Sequence, residues 1–272
     1  MKVYKGVTAW GDSFQELADC WGEAELCEVV QGDNQLSWLD DGKPEGVVML
    51  HEYDRCNNSD SHGWVCHVKE LKKECRMVLF ANEVPATELP WIYWPRHIRE
   101  VTQVKKEGIL SYADRDCHSM FIGAAENPVQ YLNRTKFDWS LAVDRFDFSV
   151  NLFSKTPHKY SNLDFLKLIR RARFGLSLEG YGPKCQRDIE YMANGVVPIF
   201  TWDTFNDYHN PLEENVHYLY ARHPREAKEK IAATSKEKWQ EMSDNCIEWF
   251  NKNCSIEGSF KTTMEIITQN NG

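Results

Sequence analysis

The sequence predicts an α/β protein of two doubly wound, Rossmann-like parallel sheets facing a central cleft. Three observations carry that expectation. Short continuous apolar runs alternate with amphipathic helical stretches along both halves. The 272 residues suffice for two domains, each with its own core. A glycine-bearing loop joins strand to helix between Arg173 and Thr201, as a ligand-binding crossover in such a sheet requires.

Taken in order, Val3 to Ala9 is the first strand, with Gly11-Asp12-Ser13 as turn and cap before a helix from Phe14 to Trp21. Val47 to Leu50 is uninterrupted apolar, as a strand buried on both faces should be, and His51-Glu52-Tyr53-Asp54 follows its carboxyl end. A helix over Val65 to Cys75, a strand over Met77 to Ala81 and a short strand in the proline-rich piece 89–96 complete the first half. The polar stretch from Arg99 to Asp116 reads as the linker.

The second series opens with a strand at Met120 to Gly123. A helix then starts at Asn127-Pro128 and runs through Arg134, followed by a strand at Phe146 to Leu152 and a helix at Leu163 to Ala172. After the 173–201 segment come a strand at Asn215 to Tyr220 and helices at Pro224 to Ala233, Lys236 to Asn251 and Gly258 to Ile267. The domains are thus expected at 1–110 and 111–250, with a terminal helix at 251–272 returning to the first domain.

Composition narrows the function. A net charge of -9 disfavours an extended nucleic-acid surface. The local cluster Lys167, Arg170, Arg171, Arg173 reads as a solvated helix end that complements the helix dipole. No apolar run approaches the roughly 18 residues of a membrane span, and the chain opens directly into a strand pattern. Nine cysteines without framework spacing fit reduced thiols, so a soluble cytoplasmic protein is expected.

In the 173–201 segment, Phe174 to Leu178 is an apolar strand ending in Glu179-Gly180-Tyr181-Gly182, whose glycines permit tight backbone geometry. Pro183 fits the first helical position and Gly195 the stop. Cys185, Ile189, Met192 and Ala193 form a buried stripe, with Arg187, Glu190 and Asn194 opposite. A base and an acid one turn apart, beside a helix N-terminus, suit a nucleoside diphosphate. Lys184 and Arg187 would hold phosphate, and Glu190 would accept from ribose hydroxyls. The alternative is a surface ion pair on an ordinary strand-loop-helix unit.

Arg187-x-x-Glu190-Tyr-Met-Ala-Asn-Gly195-Val-Val-Pro198-Ile resembles the donor-binding signature of the C-terminal domain of GT-B glycosyltransferases, and its Arg-x-x-Glu spacing is most similar to the exostosin-like family. The retaining sucrose-synthase-like enzymes share Glu-Gly-aromatic-Gly, but their two glutamates lie closer together than Glu179 and Glu190. The resemblance covers about thirty residues closely. It implies a nucleotide-sugar donor, UDP-linked by preference, in the second domain, a glycan acceptor, and no metal or cofactor. Many members of that family are membrane-anchored; with no apolar leader read in this sequence, a departure from them toward a bacterial, viral or otherwise cytosolic enzyme is expected. Gly182, Tyr181 and Arg134 join the donor set by position, Tyr181 or Trp202 as a base-stacking ring or a packed aromatic, Arg134 as a phosphate contact or a surface arginine. Asp12 stands where inverting GT-B enzymes frequently keep their base, and equally where a helix wants a cap; His51 is the next candidate, followed by Glu52, Asp54 and Glu83. The same site would suit a sugar-nucleotide epimerase or hydrolase, and a non-catalytic carbohydrate-binding protein could retain the core alone.

Two metal patterns compete. Cys56, His62, Cys66, His67 and Cys75 are zinc-type ligands without a Cys-x-x-Cys pair, and Asp114-Arg115-Asp116 matches an Asp-x-Asp motif in letters. Asp144 and Asp147 approach it. Neither pattern outweighs the metal-free expectation.

Overall fold

The structure is a computed structural model that describes residues 2–5, 12–31, 47–51, 76–80, 91–92, 97–152, 159–180, 185–202 and 210–269. It divides into two compact units, one of Met1–Arg99, Asp207–Asn210 and Lys252–Gly272, the other of Glu100–Asn206 and Pro211–Asn251. Each unit holds an all-parallel sheet, so the two doubly wound sheets predicted from the sequence are present.

In the first unit β1 (Lys2–Lys5), α1 (Asp12–Glu23), β2 (Glu28–Gln31), β3 (Val47–His51), β4 (Arg76–Phe80) and β5 (Trp91–Ile92) follow in sequence, and the sheet runs β2-β1-β3-β4-β5. The sequence reading missed β2. It is a four-residue edge strand with only Val29 and Val30 as apolar signal, too short for periodicity to register. α1 buries Leu17, Ala18 and Trp21, one stripe at helical spacing. Trp21 donates its indole N–H to Ser259 Oγ at 3.0 Å and meets Phe260 edge-on at 5.3 Å, which fastens the terminal helix α8 (Ile256–Gln269) to α1.

The expected linker at 99–116 is instead ordered structure. α2 (Ile98–Lys106) buries Val101 and Val104, and Arg115 beyond it is fully buried. The charged residues of this stretch look like linker only until their partners are seen. The second sheet contains β6 (Cys117–Ala125), β7 (Arg145–Val150), β8 (Ala172–Ser177), β9 (Val197–Phe200) and β10 (Leu219–Tyr220), in the order β10-β9-β8-β6-β7. Counted within its unit this is 2-1-3-4-5, the same order as the first sheet. Chain direction across both sheets therefore reverses between the first and third strands, the position where open α/β sheets bind ligands.

The helices that cover the second sheet are α3 (Pro128–Thr135), α4 (Asn162–Ile169), α5 (Gln186–Ala193), α6 (Pro224–Ala233) and α7 (Lys236–Asn253). Asn127 caps α3 by accepting from the amides of Val129 and Gln130, as Asn127-Pro128 predicts. One face of the sheet packs Phe121, Phe174, Leu176, Val197 and Ile199 against Ala227 and Ile231 of α6 and Trp239 of α7. On the other face Gly175 lets the ring of Tyr191 approach so closely that an added Cβ would sit 2.5 Å from it. The basic cluster is not a solvated helix end. Arg170 is buried and binds Glu107 and the carbonyl of Gly108, while Arg173 donates to Tyr112 O and lies 4.1 Å from that ring's centroid. Arg171 pairs with Asp116.

Candidate functional site

The carboxyl edge of the second sheet, where β6 and β8 part, gathers the polar residues of interest. α5 enters this edge at its N-terminus. Its cap is Cys185, whose amide donates to Asp188 Oδ2 at 3.1 Å, while the Asp188 amide donates to Cys185 O at 3.0 Å. This reciprocal pair satisfies two groups that a helix start would leave open. Ser177, the last residue of β8, donates its hydroxyl to Asp188 Oδ1, so strand and helix are locked together through one carboxyl. The helix ends at Gly195 with φ +65, where Gly195 N–H donates to Met192 O and Val196 N–H to Tyr191 O, the stop expected there. The start differs: α5 begins at Gln186, and Pro183 lies outside the described residues.

Arg187, in the first turn, crosses the edge to β6. Its Nη2 stands 2.8 Å from where a Cβ on Gly123 would be, so the glycine makes room for the guanidinium. Phe121 lies beneath, its ring centroid 4.8 Å from the Arg187 Cζ, an attractive cation-ring contact. Nε and Nη1 of Arg187 are buried and have no hydrogen-bond partner among the described residues. A guanidinium with enclosed, unmatched donors costs free energy, and an anion at this point would remove that cost.

Arg134, from α3, is 6% exposed. It donates Nε to Glu179 O at 3.2 Å and Nη1 to Ala124 O, bridging the carboxyl ends of β8 and β6. Burial, then the Arg187 charge, pulls its pKa below the usual arginine value. Asn133 donates to Gly180 O at 3.1 Å on the same turn. Arg134 is therefore neither solvated nor free; it braces the backbone from which Arg187 is presented. Burial raises the Glu179 carboxyl, with Lys136 opposing. Asp188 is 4% exposed, and burial pushes it up to about 7 against the hydrogen bonds and the two arginines.

Of the predicted donor residues, the structure brings Arg134 and Arg187 to one edge and places Glu190 on the same helix. Glu190 and Asn194 were expected opposite the buried stripe, yet both are buried, because α5 is enclosed on every side from Asp188 to Ala193. Asn194 donates Nδ2 to Glu190 O at 2.8 Å and its carbonyl accepts from Arg115. Tyr181, Gly182 and Lys184 lie outside the described residues. Trp202 is a packed aromatic, buried with its ring 5.1 Å from Phe200 and its Nε1 without a partner among the described residues. In the first unit Asp12 opens α1 and His51 closes β3. Since β1 and β3 are neighbours, the two flank the corresponding reversal point of that sheet. Glu52, Asp54, Glu83 and the cysteine-histidine group 56–75 are outside the described residues.

The Asp-x-Asp letters have another role. Asp114 accepts from Ser111 Oγ at 2.6 Å and Asp116 pairs with Arg171, while Arg115 between them turns inward. Asp147 is engaged by Lys159 at 2.8 Å and by Tyr160 at 2.5 Å. The sequence reading missed Asp188 as a member of the edge. Its signal, an acid three residues into a helix, was obscured because the cap is cysteine rather than serine or threonine.

No family model and no curated protein sequence matches the chain. Among solved structures it is similar to Alr3699/HepE of Anabaena in complex with UDP, at 8% identity over 98% of this chain and 99% of that one, with a TM-score of 0.51. A second structure of HepE, with UDP and glucose, aligns at 8% identity over 98% and 99% with a TM-score of 0.49. At this identity the likeness is one of fold, and the shared fold extends over both units.

Proposed function

We propose that the chain is a GT-B glycosyltransferase that moves a monosaccharide from a nucleoside diphosphate sugar, UDP-linked by preference, to a glycan hydroxyl. The observation that carries this reading is Arg187: a guanidinium held over Gly123 at the reversal point of the second sheet, with Nε and Nη1 unengaged among the described residues. Support comes from the exostosin-like Arg-x-x-Glu pattern and from the UDP found in a protein of the same fold. In this reading the diphosphate binds Arg187 and the α5 N-terminus, with Lys184 and Gly182 on the same loop, Tyr181 against the base and Glu190 toward the ribose. Arg134 acts from behind as a brace. Positive charge at the diphosphate oxygen lowers the energy of the departing nucleotide, the role a metal serves in other folds, and no metal or cofactor is expected.

Transfer breaks the bond from the anomeric carbon to the β-phosphate oxygen and forms one to the acceptor oxygen. In an inverting reaction the acceptor proton passes to Asp12 or His51; in a retaining one it leaves with the diphosphate. Thermal shift with UDP tests donor capture. Arg187→Ala should weaken UDP about 10- to 100-fold, the worth of one or two charge-assisted hydrogen bonds. Glu190→Ala should also reduce the UDP-dependent rise. Unchanged rises in both variants sink the donor site. Slow release of UDP from a UDP-sugar without acceptor distinguishes a catalyst from a binding protein, and Asp12→Asn should retain UDP binding while losing transfer.

A further inference from the structure

The carboxyl of Asp188 occupies a place in this edge that the donor reading leaves unused. It faces Ser177 from β8, Arg134 from α3, and Cys185, Arg187 and Tyr191 from its own helix. Two donors reach it directly, the Ser177 hydroxyl and the Cys185 amide; Arg134 directs Nε to Glu179 O and Nη1 to Ala124 O, and Nε and Nη1 of Arg187 have no hydrogen-bond partner among the described residues. Burial favours its neutral acid, while the two nearby guanidinium charges and the two hydrogen bonds favour its anion. These opposing influences leave the group close to balance at neutral pH, at about 7.

An anion docked on Arg187 shifts that balance in one direction. Phosphate oxygens cancel the guanidinium field that supports the carboxylate, and they add negative charge nearby. We infer that Asp188 is a positioning residue of the anion site: it locks α5 to β8 so that Arg187 is presented over Gly123, and it takes up a proton when a diphosphate binds there. The inference rests on the donor reading above. The donor is then captured together with a proton, and deprotonation favours release of the nucleotide product. Linkage sets the sign: uptake on binding makes affinity fall as pH rises through and above neutrality. In the free protein the same group makes stability fall between about pH 4 and 7, because the unfolded carboxyl ionises near 3.8 and the folded one near 7.

Calorimetric titration of the whole chain with UDP at pH 7.5, in HEPES and in Tris, counts the protons exchanged. The wild type should show buffer-dependent heat equal to uptake of up to about one proton per site, and up to about tenfold weaker binding per pH unit above neutrality. Asp188→Asn, whatever its affinity for UDP, should show neither the buffer-dependent heat nor the pH dependence. Buffer-independent heat in the wild type overturns the inference, as does undiminished uptake in Asp188→Asn. Absence of any UDP binding is a different outcome, since it overturns the donor reading itself. Should Asp188→Asn fail to fold, Ser177→Ala serves instead. It removes a donor to the carboxylate and should move the loss of affinity to higher pH, and an unmoved profile counts against the inference.

Discussion

Two arginines at opposite ends of the second sheet have opposite states. Arg115 precedes β6 at the amino edge and is fully buried. It donates to Leu110 O at 3.2 Å, Arg170 O at 2.9 Å, Ala172 O at 2.7 Å and Asn194 O at 2.8 Å, with its Cζ 5.0 Å from the Trp239 ring centroid. Arg187 at the carboxyl edge leaves Nε and Nη1 without partners among the described residues. Each presses its Nη2 toward a glycine, Gly195 for the first and Gly123 for the second. The same side chain thus ties loops, strand and helix end together where its donors are matched to carbonyls, and leaves donors open to an incoming anion where they are not. Carbonyls alone neutralise no charge, and burial with the charges of Arg170 and Arg173 pulls Arg115 down to about 10. Its place is consequently a structural one.

Removing the matched arginine should have the largest effect. Arg115→Met leaves four carbonyls without their donor at a site that water does not reach, which costs about 3–5 kcal/mol. The expected loss in melting temperature is roughly 10 °C for a unit of this size, measured by calorimetry. The UDP-dependent rise should survive in the protein that still folds. Equal losses of stability from Arg115→Met and Arg187→Ala would erase the distinction between the two arginines.

The sequence made this contrast only half legible. Arg187 stands out in the sequence because its helix carries a spacing that reads as one unit, Arg-x-x-Glu through Gly195, and Gly195 behaves as that pattern demands. Arg115 was hidden in Asp114-Arg115-Asp116, where two acids suggest solvent or a metal, because three of its four partners are backbone carbonyls from residues 55 to 79 positions away. Carbonyls have no letter in a sequence. Glu190 and Asn194 were misplaced for a related reason: a helical wheel shows the face turned to one neighbour, whereas α5 is covered all round. Asp188 went unread because its hydrogen bonds pass to a cysteine amide and to Ser177, eleven residues upstream.

The glycines sharpen the comparison at smaller amplitude. Gly195→Ala should cost about 2 kcal/mol, since φ +65 is strained for any residue with a Cβ and the new methyl would lie 2.7 Å from Ser243 Oγ, a hydroxyl already donated to Gly195 O. A fall of several degrees in melting temperature, with UDP affinity unchanged, is the expected reading.

Gly123→Ala should do the reverse. Its new Cβ would meet Arg187 Nη2 and Phe121 Cζ, each at 2.8 Å, and both are the far ends of side chains able to shift by a few tenths of an ångström. Stability should change by less than about 1 kcal/mol, because the adjustment is local. The guanidinium, however, would be pushed off the position where its free donors converge, and a charge-assisted hydrogen bond weakens steeply with such displacement, so UDP affinity should fall about tenfold. Calorimetric titration of Gly123→Ala against Gly195→Ala separates the two ends of the sheet, one variant losing affinity with its fold kept and the other losing stability with its affinity kept. A loss of stability in Gly123→Ala as large as that in Gly195→Ala would mean that Arg187, too, holds the fold rather than a ligand.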